Sequence, residues 1–178
     1  GLLILRGPNG AGKSSLLRLM AGLLPPVHGA LSWDGEDVAE DSDAHRARTA
    51  YVGHDDALKP GLTVAEHLDF HAALRGEKAP RVEAALAAFG LAALATTQAR
   101  FLSAGQRKRV ALARLIAAQA ALWLLDEPSN GLDTASVARL EAAIAAHRAQ
   151  GGIVVAATHL DFAGAETSTL VLDGAKAA

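Results

Sequence analysis

The chain has 178 residues, no cysteine and a formal net charge of −2 at pH 7, with 17 Lys and Arg against 19 Asp and Glu. This length fits one α/β domain, and the charge balance argues against a surface for nucleic acids or anionic membranes. Disulfides and cysteine-ligated metals are excluded. The longest apolar stretch, residues 115–125, is too short to cross a bilayer.

The first predicted elements are a buried strand over residues 2–5 and a helix that opens at Ser15. Between them, residues 7–14 fit the pattern G-x-x-x-x-G-K-[ST], a loop whose N–H groups and helix N-terminus bind phosphate. Lys13 can reach the β- and γ-phosphates, and the Ser14 hydroxyl can ligate Mg²⁺. The predicted nucleotide-binding residues are Gly7, Pro8, Asn9, Gly10, Ala11, Gly12, Lys13, Ser14 and Ser15.

The remaining chain alternates apolar strands with helical patterns. Two helices are predicted after Thr63, separated by Gly76 and Pro80, and another helix from about Thr134. This alternation predicts a mostly parallel sheet with helices on both faces. The predicted strands are residues 2–5, 30–33, 50–52, 122–125, 153–156 and 170–172.

Two carboxylates, Asp126 and Glu127, end the apolar strand at 122–125. Ligands of parallel sheets bind at this end of the strands. Asp126 is suited to hold Mg²⁺ through a water molecule. Glu127 is suited to polarise the water that attacks the γ-phosphate. A polar strand end is the ordinary alternative, and the upstream phosphate loop favours the catalytic interpretation.

Ser103 and Gln106 have the spacing of a capping box at the start of a basic helix. The segment is either a well-capped helix with a solvated basic face or an anion site at a helix N-terminus. Spacing alone does not decide between the two.

In order along the chain, these motifs resemble those of the ATP-binding-cassette (ABC) ATPases. The resemblance implies a P-loop NTPase fold with a RecA-like core at residues 1–62 and 102–178 and a helical signature subdomain at 63–101. It implies Mg²⁺ and ATP as cofactors and a homodimer in the ATP state, with two ATPs at its interface. The implied signature, which contacts the ATP held by the partner's loop, is Ser103, Ala104, Gly105 and Gln106.

The same resemblance implies roles for three further residues. Asp133 belongs to the D-loop, and His159 is the switch histidine, a catalytic residue as Glu127 is. His54 stands eight residues before Leu62, where most members have the Q-loop glutamine. Imidazole is a poorer partner than an amide oxygen for hard Mg²⁺, so we expect His54 to tune coupling rather than to bind metal.

A narrower resemblance is to the heme-exporter ATPases of bacterial cytochrome c maturation. Ala104 in place of the usual glycine and His54 in place of the usual Q-loop glutamine are typical of that subfamily. It implies an integral membrane transporter subunit as partner, a peripheral location on the cytoplasmic face of the bacterial inner membrane, and release of a heme-loaded chaperone. No heme site is predicted in this chain, and His67 and His71 are expected to be a surface pair. Leu58 and Leu62 are candidate exposed contacts to the membrane subunit, and the alternative is that both leucines belong to the core.

Other functions stay open at this point. The chain fits an ATPase subunit of another export system, a soluble ABC ATPase acting on ribosomes or DNA, or a non-catalytic nucleotide sensor. The gap between His54 and Ser103 has room for two short helices but not for a long coiled coil, which argues against DNA repair. The family's adenine-stacking aromatic residue would precede residue 1, so we expect an N-terminal truncation.

Overall fold

The computed structural model describes residues 1–76, 81–160, 162 and 167–173. Its strands are β1 (Leu2–Arg6), β2 (Ser32–Trp33), β3 (Glu36–Asp37), β4 (Thr49–Val52), β5 (Leu122–Asp126), β6 (Ile153–Ala157) and β7 (Ser168–Val171). Its α-helices are α1 (Lys13–Met20), α2 (Ser42–Arg48), α3 (Val64–Ala73), α4 (Val82–Ala88), α5 (Ala104–Ala117) and α6 (Thr134–Ala149), and two 3₁₀ turns cover Ala92–Leu94 and Ala99–Phe101.

Five strands form one sheet in the order β4-β5-β6-β1-β7, and every pairing in it is parallel. The short β2 and β3 form a separate antiparallel hairpin. The prediction of a mostly parallel sheet is confirmed. Parallel pairing places the carboxyl ends of all five strands at one edge, where the connecting loops can meet.

The side chains of each strand alternate between two buried layers, as the pleat of a strand requires. Leu122 and Leu124 of β5 pack with Leu17 of α1 on one face of the sheet. Trp123 and Leu125 face the other layer, which α3, α4, α5 and α6 cover. Both faces are therefore closed, and β5 is buried along its whole length.

The segment between β4 and α5 is helical, and its main helix begins at a capping box. The Thr63 side chain accepts a hydrogen bond from the Glu66 backbone, and a Glu66 carboxylate oxygen accepts one from the Thr63 backbone at 2.8 Å. Both helices, α3 and α4, pack against α5. In the part of the chain that the structure describes, no helix is long and apolar enough to cross a membrane.

The prediction of a surface pair at His67 and His71 is wrong. His67 is only 1% exposed, and its Nε2 lies 2.9 Å from the Lys59 carbonyl oxygen. His71 is half-buried, and Arg114 donates a hydrogen bond to its Nε2 at 3.0 Å. Both imidazoles face α5 and the 59–62 loop instead of solvent, because the α3 face that carries them is the packed face.

This burial makes His71 difficult to protonate. Loss of solvent, followed by the positive charges of Arg114 and Arg75, lowers the pKa of His71 from 6.5 to about 3. An unfolded chain protonates the same imidazole near its ordinary pKa. Between these two values the unfolded state binds more protons, so the free energy of unfolding falls as pH falls.

We therefore expect His71→Gln to reduce the acid sensitivity of folding. The amide removes the titration, and its oxygen can still accept the hydrogen bond from Arg114. Urea unfolding at about pH 7.5 and about pH 5 measures the loss of stability on acidification, which should be smaller in the variant than in wild type. Equal losses in both proteins would contradict this account of His71.

Candidate functional site

The phosphate loop, residues 7–15, joins β1 to α1 at the carboxyl edge of the sheet. Gly12 caps α1 in a left-handed conformation with φ of 95°, so the first N–H groups of the helix carry no side-chain cap. Helix N–H groups left free in this way bind anions, and the helix dipole adds to the attraction. The loop geometry therefore fits a phosphate chain.

Gly7 is required by the fold as well as by the loop. Its φ is 142°, and a Cβ at this position would lie 2.2 Å from the Leu172 carbonyl oxygen. The Leu172 N–H in turn donates a hydrogen bond to the Arg6 carbonyl at 2.8 Å. The chain after β7 thus passes directly against the start of the loop and leaves no space for a side chain there.

Lys13, the first residue of α1, points back into the loop. It is 9% exposed, and its Nζ donates hydrogen bonds to the carbonyl oxygens of Gly7 at 2.7 Å and Pro8 at 3.0 Å. The loop therefore holds a buried ammonium group inside its own curve. A cation in this place can neutralise charge on the phosphates of a nucleotide.

Asp126 and Glu127 follow the buried part of β5. Asp126 is 5% exposed and pairs in register with Ala157 of β6. The Glu127 N–H donates to the Ala157 carbonyl oxygen at 2.8 Å, and Glu127 has a positive φ of 46°. A positive φ is uncommon in a residue with a side chain, and here it turns the Glu127 carboxylate out of the strand direction.

His159 lies just beyond β6, next to that carboxylate. Its Nε2 is 3.8 Å from a Glu127 carboxylate oxygen, and its side chain is largely exposed. The buried neighbour, Thr158, accepts a hydrogen bond from the Leu160 N–H and shapes the turn. The structure thus brings together two side chains that are 32 positions apart in sequence, in the arrangement that a carboxylate and a positioning histidine need.

The signature segment, residues 103–106, opens α5. The predicted capping box is confirmed: the Ser103 hydroxyl accepts from the Gln106 N–H at 3.2 Å, and Gln106 Oε1 accepts from the Ser103 N–H at 2.7 Å. Ser103 and Ala104 are exposed. Among the described residues, no hydrogen bond joins this segment to the phosphate loop, so within one chain the two sites are separate.

The D-loop region lies beside the signature segment. Asp133 caps α6 through its carboxylate, which accepts a hydrogen bond from the Ser136 N–H at 2.7 Å. Hydrogen bonds with Ser136 lower the pKa of Asp133. A Cβ added to Gly105 would lie 3.4 Å from the Gly131 carbonyl oxygen, so the two segments meet closely.

Lys108 was missed by the sequence interpretation, which allowed a solvated basic face for residues 107–109. It is 6% exposed, and its Nζ donates to the Gly53 carbonyl oxygen at 3.4 Å. Burial lowers the pKa of Lys108, while the nearby Asp56 and Asp126 raise it. Lys108 therefore links α5, which begins with the signature segment, to the residue preceding His54. A period of 3.6 applied to α5 would have signalled this, since Lys108 falls on the face of Ala111 and Leu115.

His54 itself is exposed in the loop after β4. The expectation that His54 tunes coupling stays a prediction. No group of three or more His, Asp or Glu side chains within the described ranges could hold a metal ion. Oxygen donors at this edge are the Ser14 hydroxyl and the Asp126 carboxylate, a set that suits Mg²⁺ once phosphates supply further oxygens.

One predicted contact surface needs correction. Leu58 was expected to be exposed, but it is half-buried and packs against the main core, and Leu62 is half-buried as well. The exposed apolar side chains next to this loop belong to α3 and the residue after it, with Phe70 37% exposed and Leu74 65% exposed. The loop backbone is held near α3 by the contact between the Lys59 carbonyl and His67.

Comparison with known proteins gives a consistent result. Residues 1–130 match the protein family described as ABC transporter. The chain is 59% identical over 165 residues to the cytochrome c biogenesis ATP-binding export protein CcmA of Paramagnetospirillum magneticum, covering 90% of this chain and 76% of that protein. The protein of the same name from Rhodospirillum rubrum is 56% identical over 173 residues, covering 97% and 74%.

Solved structures agree with the fold. An ATP-binding subunit of an ABC transporter superposes with a TM-score of 0.78 at 28% identity, covering 89% of this chain and 68% of that one. A dimeric ATP-binding cassette in a post-hydrolysis state, bound to ADP and Pi, superposes with a TM-score of 0.73 at 26% identity, covering 89% and 75%. The expected P-loop NTPase fold is thereby confirmed.

We expect Lys13→Ala to lower ATP hydrolysis about a hundredfold or more, because it removes the buried cation that the loop presents to the phosphates. Phosphate release under saturating Mg-ATP measures the effect, and circular dichroism confirms folding. Arg100→Ala, which removes an exposed cation beyond the site, is the matched control. Equal turnover by wild type and Lys13→Ala would refute the assignment of the loop.

Proposed function

Because the chain belongs to the ABC transporter family, as one of its ATP-hydrolysing subunits, we propose that it drives an export step in cytochrome c biogenesis together with an integral membrane subunit. The observation that carries the proposal is the 59% identity to a protein named for that process. The narrower proposal, that the step releases heme or a heme-loaded chaperone, rests on the subfamily resemblance. Heme itself would not bind to this chain.

ATP and Mg²⁺ would bind at the carboxyl edge of the sheet. Residues 7–15 would wrap the phosphates, with Lys13 at the β- and γ-phosphates. The Ser14 hydroxyl, and Asp126 through water, would hold Mg²⁺, which neutralises phosphate charge when it is bound. Glu127 would orient the attacking water. His159, whose Nε2 lies 3.8 Å from the Glu127 carboxylate, would help to position the reacting groups at the γ-phosphate.

A single chain would leave this site incomplete. Ser103 and Ala104 are exposed, and as far as the described residues extend, the signature segment has no hydrogen bond to the phosphate loop of the same chain. The exposed start of α5 would contact the ATP of a second copy arranged head to tail. The capping box supports this role, because it fixes α5 while leaving the outer face of Ser103 open to solvent.

His54 would act in coupling to the membrane subunit. Its exposed position in the loop after β4 supports this role, because it leaves the imidazole accessible to a partner subunit. Lys108, which donates to the neighbouring Gly53 carbonyl, offers a path from His54 to the helix of the signature segment. The cassette would sit as a peripheral subunit on the cytoplasmic face of the inner membrane, where its membrane partner presents helices to the loop after β4.

An ATPase subunit of another export system is the alternative function, and it would use the same ATP site. The described fold has only the helices α3 and α4 and two 3₁₀ turns between His54 and Ser103, which leaves no place for the long coiled coil of DNA-repair relatives. A transporter subunit is thus favoured over a soluble ATPase acting on DNA.

We expect Glu127→Gln to trap a dimer. The amide cannot take a proton from the attacking water, so hydrolysis slows while ATP stays bound between two copies. Multi-angle light scattering should show the monomer mass without nucleotide and twice that mass with Mg-ATP. The double variant Glu127→Gln/Lys13→Ala, which should not hold ATP, is expected to remain monomeric. A monomer of Glu127→Gln under conditions where bound ATP is measured directly would contradict the proposed assembly.

A further inference from the structure

The turn that carries His159 lies between the ends of two neighbouring strands. β6 ends at Ala157, and in the sheet it is flanked by β5 on one side and by β1 on the other. The chain that leaves β6 therefore has the end of β5 on one side and the end of β1 on the other. His159 is two residues beyond the strand, so its position depends on what holds this turn on each side.

On the β5 side, the backbone holds the last residue before the turn. The Glu127 N–H donates to the Ala157 carbonyl oxygen at 2.8 Å. Inside the turn, the Leu160 N–H donates to the Thr158 hydroxyl at 3.1 Å. The first bond fixes where β6 ends and the second fixes the local shape of the turn, but neither one ties the far end of the turn to the sheet.

On the β1 side, a side chain supplies that tie. The Arg6 Nη2 donates to the Leu160 carbonyl oxygen at 3.1 Å, across 154 positions of the sequence. Arg6 is the last residue of β1, and Gly7 after it opens the phosphate loop. One arginine thus connects the start of the loop with the residue that follows His159.

The backbone of Arg6 is itself fixed in the sheet. It is paired in register with Val171 of β7, and the Arg6 carbonyl oxygen accepts a hydrogen bond from the Leu172 N–H at 2.8 Å. On the other side of β1, Leu5 is paired with Ala157, so Arg6 stands level with the start of the turn. A guanidinium on this backbone can therefore hold the turn at a defined place relative to the phosphate loop.

This hydrogen bond matters because packing contributes little to the position of the imidazole. The His159 side chain is 74% exposed, whereas Arg6 is half-buried. A guanidinium that donates to a carbonyl oxygen forms a charge-assisted bond, stronger than a bond between neutral groups, and its planar geometry fixes direction as well as distance. A displacement of a catalytic group by about 1 Å can cost about a hundredfold in rate.

We propose that Arg6 is a positioning residue for His159, which acts through the Leu160 carbonyl to hold the imidazole beside the Glu127 carboxylate. The inference rests on the proposed function, because it takes His159 to act in ATP hydrolysis. Loss of the Arg6 side chain should therefore slow turnover without weakening ATP binding, since the phosphate-binding groups of residues 7–15 are unchanged.

Arg6→Met removes the donor and keeps an unbranched apolar side chain. Its rate of phosphate release should fall about tenfold or more, whereas the Kd for the fluorescent analogue mant-ATP should stay within about twofold of wild type. Both are measured on the cassette purified with its membrane subunit, with single-turnover phosphate release so that slow variants stay measurable. Arg48→Met is the matched control, because Arg48 is also half-buried and donates to a backbone carbonyl, that of Ala44. It should keep both wild-type values.

A double-mutant cycle with His159→Ala separates positioning from a general structural role. In the His159→Ala background, Arg6→Met should change the rate by less than about twofold, because the side chain that it positions is already gone. A purely structural loss would lower the rate by the same factor in both backgrounds. If Arg6→Met does not fold, Arg6→Gln, whose side chain is polar but shorter than that of arginine, replaces it in the same cycle.

Equal factors in the two backgrounds, or an unchanged rate of the folded Arg6 variant, would overturn the proposal. A weakened Kd for mant-ATP would overturn it as well, because Arg6 would then serve the phosphate loop instead of His159. Equal rates of wild type and His159→Ala would instead refute the role of His159 in the proposed function. Absence of ATP hydrolysis in the wild-type complex would refute the proposed function itself, so the failures are distinguishable.

Discussion

The parallel pairing of β6 with both β1 and β5 is the constraint on which the candidate site depends. Ala157 is in register with Leu5 on one side and with Asp126 on the other. The residues that follow these three positions therefore leave the sheet at the same level. The phosphate loop, Glu127 and the turn to His159 become neighbours through backbone pairing, before any side chain contributes.

The same constraint explains why one chain is insufficient. The signature segment starts α5, which packs with α3 and α4 in the layer opposite α1. It faces solvent there, and its fixed N-terminus remains available for a phosphate held elsewhere. In a closed two-fold assembly, a second copy arranged head to tail would place its signature segment against the ATP held by the phosphate loop of the first copy, and the reverse.

Local patterns in the sequence were sufficient for much of this account. The spacing of glycine and lysine in residues 7–14 predicts the conformation of the phosphate loop, because glycine adopts the backbone conformations that the loop requires. The capping box at Ser103 is equally local. The parallel sheet followed from alternating elements, whereas the family resemblance named Glu127 and His159 as catalytic residues without placing them next to each other.

The remaining features depend on which face of a helix is packed against the core. His67 and Lys108 are polar side chains on helix faces that prove to be buried, so their residue types alone suggest solvent exposure. Leu58 packs against the main core, and next to it the Lys59 carbonyl lies 2.9 Å from His67 Nε2. The hydrogen bond from Arg114 to His71 is visible only once α3 and α5 are packed together, because the two residues are 43 positions apart.

The most direct measurement mixes two chains that are each defective in a different half of the site. Lys13→Ala damages the phosphate loop, whereas Ser103→Asp keeps a good helix cap and places negative charge against the partner's ATP. Each variant alone should be inactive. An equal mixture should regain up to about a quarter of wild-type ATPase activity, because mixed dimers contain one intact composite site. An inactive mixture of two folded variants, or full activity of Ser103→Asp alone, would contradict the shared site.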